Sequence, residues 1–540
     1  MPPGHLPDLS LPDVSRSLPP APSRRSFLAG GLALGGALAA GVVLPRSASA
    51  AVSPRLSGNP FTLGVASGDP SSSGVVLWTR LALDPLADDG LGSVPGAGHD
   101  LRWQLATEPR FRNVVRAGRV RTDAASGHAV HVEVEGLEAG REYWYRFRTA
   151  GHVSPAARTQ TAPAPRAGGV PLALAVASCA QYEAGFFTAY RRLAEDEPDL
   201  VLHLGDYLYE NANPTSGSVR HVAGPETVTL ADYRRRHAQY KADLDLQAAH
   251  AVAPWVVVWD DHEVDNNWAD EVPENDQPDF LARRTAAFQA YYENMPLRRT
   301  SVPRGIDLQL YRRVQWGRLA TFHMLDTRQY RSDQACGDGT RSGCDERLDP
   351  TRSITGPEQE AWLADGLARS TSTWDVLGQQ VFFSQRDFTA GPQESFSMDA
   401  WDGYVASRQR ILAAAAAAGT APVVLTGDVH RHYASDLKAD FADPGSATVG
   451  VEVVTTSVTS GGNGSDTTPA TNVQLAENPH IKFANTQRGY VRARLTRAEM
   501  TVDFRVVPFV TAPGAPASTR QTFVVDAREP GLRPAASALV

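Results

Sequence analysis

Leu200-Val201-Leu202-His203-Leu204-Gly205-Asp206-Tyr207-Leu208-Tyr209 reads as a short strand that runs straight into a Gly-Asp turn carrying two phenols. A largely apolar run of five residues closed by a turn signal is the pattern of a strand buried on both faces. The same pattern recurs outward along the chain. Leu172–Ala177 leads into Ser178-Cys179, and Trp255–Trp259 into Asp260-Asp261-His262-Glu263 with Asp265-Asn266-Asn267 following. Val423–Thr426 leads into Gly427-Asp428-Val429-His430. Leu319–Leu325, Trp374–Leu377 and Val451–Val454 extend the series of strands. Helical segments fall between them at Phe186–Ala194 and in a run ending at Ala413–Ala418, where Gly419 is the expected C-cap. Strands alternating with helices give an α/β unit. In open α/β sheets ligands bind beyond the carboxyl ends of the strands, and four such ends here present carboxylates, imidazoles, a thiol and a phenol. Asp428 and His430, two apart on extended backbone, point to one side. The set has the outline of a metal site.

The region upstream is built differently. Between about 60 and 155, apolar residues alternate with period two at Gly74–Thr79, Leu101–Leu105 and Val130–Val134, separated by turn residues, which predicts a β-sandwich. Gly136–Arg146, with Tyr143 near its centre, is similar to the tyrosine-corner segment of fibronectin-type sandwiches. A Thr/Ala/Pro/Gly linker, Thr159–Gly169, closes it. The expected division is a leader at 1–50, an N-terminal β-sandwich at 56–158, a linker at 159–170, an α/β domain at 171–512 and a C-terminal tail at 513–540. Thr459–Thr468, rich in Gly, Ser and Thr, reads as a long loop inside the α/β part.

The leader carries an address. Ser23-Arg24-Arg25-Ser26-Phe27-Leu28 precedes a weakly apolar Gly/Ala run from Leu28 to Leu44, and Ala48-Ser49-Ala50 offers a cleavage site. This resembles a twin-arginine export signal, a route that carries proteins already folded. The apolar run is too short for a typical spanning helix, so no stable membrane span is expected after cleavage. With 52 Lys+Arg against 60 Asp+Glu, the chain has a formal net charge of −8 and no basic stripe, which excludes a nucleic-acid packaging role. Its 42% hydrophobic content supports a sizeable core, and 540 residues suffice for two or three domains. Three cysteines divide unequally. Cys336 and Cys344 bracket a Gly/Asp-rich loop flexible enough to close a disulfide, leaving Cys179 as an inert buried thiol or a thiolate ligand.

Asp206 with Tyr209, Asp261-His262-Glu263 and Gly427-Asp428-Val429-His430 together resemble the blocks of calcineurin-like metallophosphoesterases. The closer resemblance, over nearly the whole chain, is to PhoD-type alkaline phosphatases. Phe61–Pro70, Ala177-Ser178-Cys179, His203–Glu210, Trp259–Glu263 and Asp326-Thr327-Arg328-Gln329-Tyr330 carry it. The resemblance implies an α/β metallophosphoesterase sandwich preceded by a fibronectin-like β-sandwich domain. It also implies a secreted or cell-surface, metal-dependent enzyme that hydrolyses small phosphate esters, monoesters or diesters, by in-line attack of a metal-activated hydroxide. In that family Fe³⁺ would be held by Cys179, Tyr209 and His430, with Asp206 bridging to Ca²⁺ and Asp261, Asn266 and Asp428 completing the calcium side. Hard carboxylate donors suit Ca²⁺, and thiolate, phenolate and imidazole suit Fe³⁺. Spacing does not choose between Asn266 and Asn267. His262 is a candidate general acid or, equally, an orienting residue, and Arg328 a candidate phosphate clamp. Two alternatives stand beside this reading: a phospholipid or wall-polymer phosphodiesterase of the same fold, and a calcium-dependent surface-binding protein using the sandwich for adhesion. Export would make the twin-arginine machinery its partner.

Overall fold

The computed structural model describes residues 56–535 apart from 97 and 215, and the leader lies outside them. Three parallel strands, Leu172–Ala177, Leu200–Leu204 and Trp255–Val258, form the centre of a ten-stranded sheet. A second, seven-stranded sheet has four parallel strands at its heart, Ala320–Met324, Trp374–Gln379, Val423–Thr426 and Thr448–Val454. Each of these strands is buried along most of its length because each sheet is covered twice, by the other sheet and by helices. One buried cluster joins Leu174, Val201 and Val257 of the first sheet to Phe322, Val376 and Leu425 of the second. Helices Thr188–Glu195, Leu230–Lys241, Leu244–Val252 and Phe280–Asn294 accompany the first sheet, and Gly356–Ala368 and Val405–Ala418 the second. Gly419 caps the last of these in the left-handed conformation, as its sequence position predicts.

The N-terminal part is a β-sandwich whose two layers share the cluster of Val65, Leu77, Leu101, Val132, Tyr145 and Phe147. One layer is a five-stranded sheet holding His99–Ala106, Val114–Thr122 and Glu142–Thr149. The Glu138 N–H donates to the Tyr143 hydroxyl at 3.0 Å, which makes the tyrosine corner. The other layer, Val65–Gly68, Val75–Arg80 and Ala129–Val134, differs from an independent sheet: it continues the ten-stranded sheet, with Gly68 opposite Trp255. A side chain at Gly68 would lie 2.5 Å from the Pro296 carbonyl oxygen and 2.7 Å from that of Trp255, so only glycine admits the junction.

Residues 513–540, expected as a tail, contain two strands of the same sheet. Ser518–Asp526 pairs antiparallel with Glu499–Val507, and Arg533–Pro534 pairs with it in turn. Phe523, Val525 and Leu532 join the main core, which is why the segment stays docked.

Candidate metal centre

The loops that follow the central strands converge. Cys179 N–H donates to the Gly205 carbonyl at 3.1 Å and Ala180 N–H to that of Asp206 at 2.9 Å, zipping two strand ends together. Glu263, 1% exposed, accepts from the backbone N–H groups of Asp206, Tyr207 and Asp260 and ties in the third. The left-handed conformation is unfavourable for a residue with a Cβ, yet Cys179 (φ 60), Asp206 (φ 52), Asn267 (φ 48), Asp428 (φ 62) and His430 (φ 54) all adopt it. Such concentration marks a site where the scaffold imposes geometry on its side chains.

Two donor sets result. The ligating atoms of Cys179, Asp206 and His430 lie within 4.8 Å of one another, as do those of Asp206, Asp261 and His262, so Asp206 belongs to both. The Tyr209 hydroxyl is 2.8 Å from Asp206 Oδ2 and 2.9 Å from His430 Nε2, and accepts from Ser460 Oγ at 2.8 Å. Helix Leu230–Lys241 holds the Tyr209 loop from behind. Arg236 closes on the Tyr209 carbonyl, and the Tyr240 hydroxyl accepts from the Tyr209 N–H at 3.2 Å. His262 and His430 keep part of their rings open to solvent, at 15% and 35% exposure, so the pair faces the mouth of an otherwise buried cluster.

The electrostatics call for cations. Burial and the Asp206 carboxylate push the Cys179 thiol and the Tyr209 phenol well above their ordinary ranges. Burial pushes Glu263, with Asp206 beside it, and Asp428, with Asp399 and Asp261 beside it, up to about 8 each. Burial also works against the Asp261 carboxylate, but Arg328, His262 and the Asn267 N–H hold it below its ordinary value. Asp206 Oδ1 is buried without a hydrogen-bond partner among the described residues. Anionic donors this close and this dry are mutually destabilising unless positive charge lies between them. The donor set therefore fits a pair of metal ions: thiol, phenol and imidazole on one side of Asp206, carboxylates on the other.

Two of the expected site residues already have protein partners. Arg328 is fully buried and spoken for: Nε lies 2.6 Å from Asp260, Nη1 and Nη2 bind Asp399 at 2.7 and 2.9 Å, and Asp261 is 3.6 Å away. It neutralises carboxylates beneath the site, which take up Nε and one N–H on each of Nη1 and Nη2. Asn266 turns its amide away to Glu274 at 2.6 Å, whereas Asn267 donates its backbone N–H to Asp261 Oδ2 at 2.8 Å. Asp428 faces the carboxylate-rich half, within electrostatic reach of Asp261 and Asp399. Cys336 and Cys344 form a disulfide, and Cys179 is free and buried.

Sequence reasoning missed Glu210, Ser460 and Asp399. Glu210 Oε2 binds His262 Nδ1 at 2.7 Å, and His262 lies against the Tyr209 ring with centroids 4.1 Å apart. Its place directly after Tyr209 was the available signal; for Ser460 and Asp399 the sequence holds none.

Residues 174–504 match the family model described as PhoD-like phosphatase, and residues 46–163 that of the PhoD-like phosphatase N-terminal domain. The chain is 48% identical over 527 residues, 96% of its length and 90% of the relative's, to alkaline phosphatase D of Bacillus subtilis (strain 168). The solved structure described as that of PhoD superposes with a TM-score of 0.88 at 49% identity, covering 90% of this chain and 94% of the other.

Proposed function

The chain belongs to the PhoD-like phosphatase family and is a phosphoric ester hydrolase, and on that premise we propose that it is an exported enzyme working through a dinuclear Fe³⁺/Ca²⁺ centre bridged by Asp206. The observation that carries the reading is that one buried carboxylate, with an unpartnered oxygen, lies within ligating reach of Cys179 and His430 on one side and of Asp261 on the other. Cys179, Tyr209 and His430 would hold the iron, and Asp261 and Asp428 the calcium. When bound, such a pair supplies Lewis-acid activation of a water and neutralises charge on the phosphoryl oxygens.

The chain's own residues do the rest. Glu210 fixes the His262 ring through Nδ1, so Nε2 is the atom that delivers a proton to the leaving oxygen. Ser460, donating to Tyr209, and Arg488, bonded to the Ser460 carbonyl, keep the phenol aimed at Asp206. The N-terminal sandwich of 56–158 and the linker of 159–170 are proposed as a buttress to the catalytic part, which then runs from 171 through the C-terminal strands. Export through the twin-arginine pathway rests on residues 1–50, outside the described structure; no described helix is long and apolar enough to cross a membrane.

Comparing a chromogenic phosphate monoester with its diester analogue, before and after chelation, tests this. Hydrolysis of at least one, lost on chelation and restored by added Ca²⁺, is expected. Turnover indifferent to chelators and to added metal would refute the metal-dependent reading.

A further inference from the structure

The loop between Cys336 and Cys344 reaches the carboxylate-rich half of the centre. Asp338, on that loop with φ 63, accepts from Asn267 Nδ2 through its Oδ2 at 2.7 Å. Asn267 is itself left-handed, and its N–H is the donor that meets Asp261 Oδ2 at 2.8 Å. Asp338 thus stands two hydrogen bonds from Asp261. Asn visits the left-handed region more readily than most residues but does not default to it, so a charge-assisted bond from its side chain to a fixed acceptor selects the conformation that aims the N–H.

The acceptor is fixed from several sides. The disulfide closes the loop, the Cys336 N–H donates to Glu346 at 2.8 Å, and the Met398 N–H donates to the Gly339 carbonyl at 2.9 Å. Thr340–Arg341 pairs with Phe396–Ser397, and Cys344 packs with Ala335, Phe396 and Met398 in a small apolar cluster. The other carboxylate oxygen of Asp338 is buried without a partner among the described residues, a cost the loop imposes on it. A strained backbone and a half-satisfied carboxylate held beside a site indicate that their placement matters there.

We propose that Asp338, presented by the Cys336–Cys344 loop, is a positioning residue for Asp261 and acts through Asn267. The proposal rests on the reading of Asp261 as a calcium ligand. The test is calorimetric titration of Ca²⁺ into the chelator-stripped full chain, for the parent and for Asp338→Ala, Asp338→Asn, Asn267→Ala and the Asp338→Ala/Asn267→Ala pair. Asp338→Ala is expected to weaken Ca²⁺ binding about tenfold, the scale on which supports of metal ligands act. Asp338→Asn, whose amide oxygen still accepts from Asn267, should stay within about twofold of the parent. The double variant should bind no worse than the weaker single variant, because both remove one linkage. Cys336→Ser/Cys344→Ser, which frees the loop without touching Asp338, should weaken Ca²⁺ in the same direction. Parent-like affinity in Asp338→Ala, parent-like affinity in the cysteine pair, or a double variant losing the product of the single losses would each overturn the proposal. A parent that takes up no Ca²⁺ would instead overturn the calcium reading of Asp261, and the proposal with it.

Discussion

Replacing Arg328 by lysine separates a buried electrostatic hub from a substrate clamp. The guanidinium reaches three carboxylates at once: Asp260 at 2.6 Å, Asp399 through two contacts at 2.7 and 2.9 Å, and Asp261 at 3.6 Å. An ammonium is a single point charge without the planar fork and cannot hold Asp260 and Asp399 together. Asp399 keeps Arg331 at 2.9 Å, so Asp260 is the buried carboxylate that stands to lose its partner. Breaking a buried ion pair from one side costs about 3–5 kcal/mol. For a chain of this size the unfolding entropy is about 1 kcal/mol per kelvin, so the apparent thermal midpoint of Arg328→Lys should fall by about 3–5 °C. A residue with no exposed atoms cannot contact a substrate, so KM for a phosphate ester should stay within about twofold while kcat falls with the disturbed Asp261. Scanning calorimetry and steady-state kinetics on one preparation measure both. A parental midpoint combined with a KM raised tenfold or more, at unchanged kcat, would refute the hub and restore the clamp.

Three more outcomes follow from the same geometry. Asp206→Asn should reduce turnover by far more than tenfold, because an amide cannot bridge two cations as an anion; activity within about tenfold of the parent, roughly 1.4 kcal/mol in the barrier, would remove Asp206 from the bridge. Tyr209→Phe should weaken or shift a visible charge-transfer band while the thermal midpoint holds, and an unchanged spectrum would take the phenolate off the iron. Burial, with Lys241 nearby, lowers the His203 imidazole to about 3 from 6.5, so it stays neutral in the native state where the unfolded chain takes up a proton. Its contribution is complete above pH 6.5 and is lost as pH falls toward 3, amounting to about 2 kcal/mol at about pH 5. Denaturant titrations of both proteins should show the parent losing about 2 kcal/mol more than His203→Asn between about pH 8 and pH 5, and an equal pH response in the two would refute it.

Much of the centre was legible because its residues follow largely apolar strands, buried along their length: Leu200–Leu204 announces Asp206 and Tyr209, and Val423–Thr426 announces Asp428 and His430. What stayed hidden depends on groups meeting across the fold. Helix Leu230–Lys241 escaped notice because it buries Arg234, Arg235, Arg236, His237 and Gln239, so it shows no apolar stripe. Its charges are absorbed by partners far along the chain, such as Glu293 on Arg234 at 2.6 Å. Arg328 resembled a free cation for want of any sequence sign of Asp399. That Asn267 adopts the left-handed conformation and its neighbour Asn266 does not is a backbone property, which residue spacing does not encode.

The most direct test of the central claim is elemental analysis of the purified protein, with occupancies per chain, alongside its visible spectrum and its activity before and after calcium chelation. The account predicts about one iron per chain, at least one calcium, and an absorption band that survives calcium removal while turnover stops. A colourless, iron-free and fully active protein would contradict it and return Cys179 and Tyr209 to structural roles.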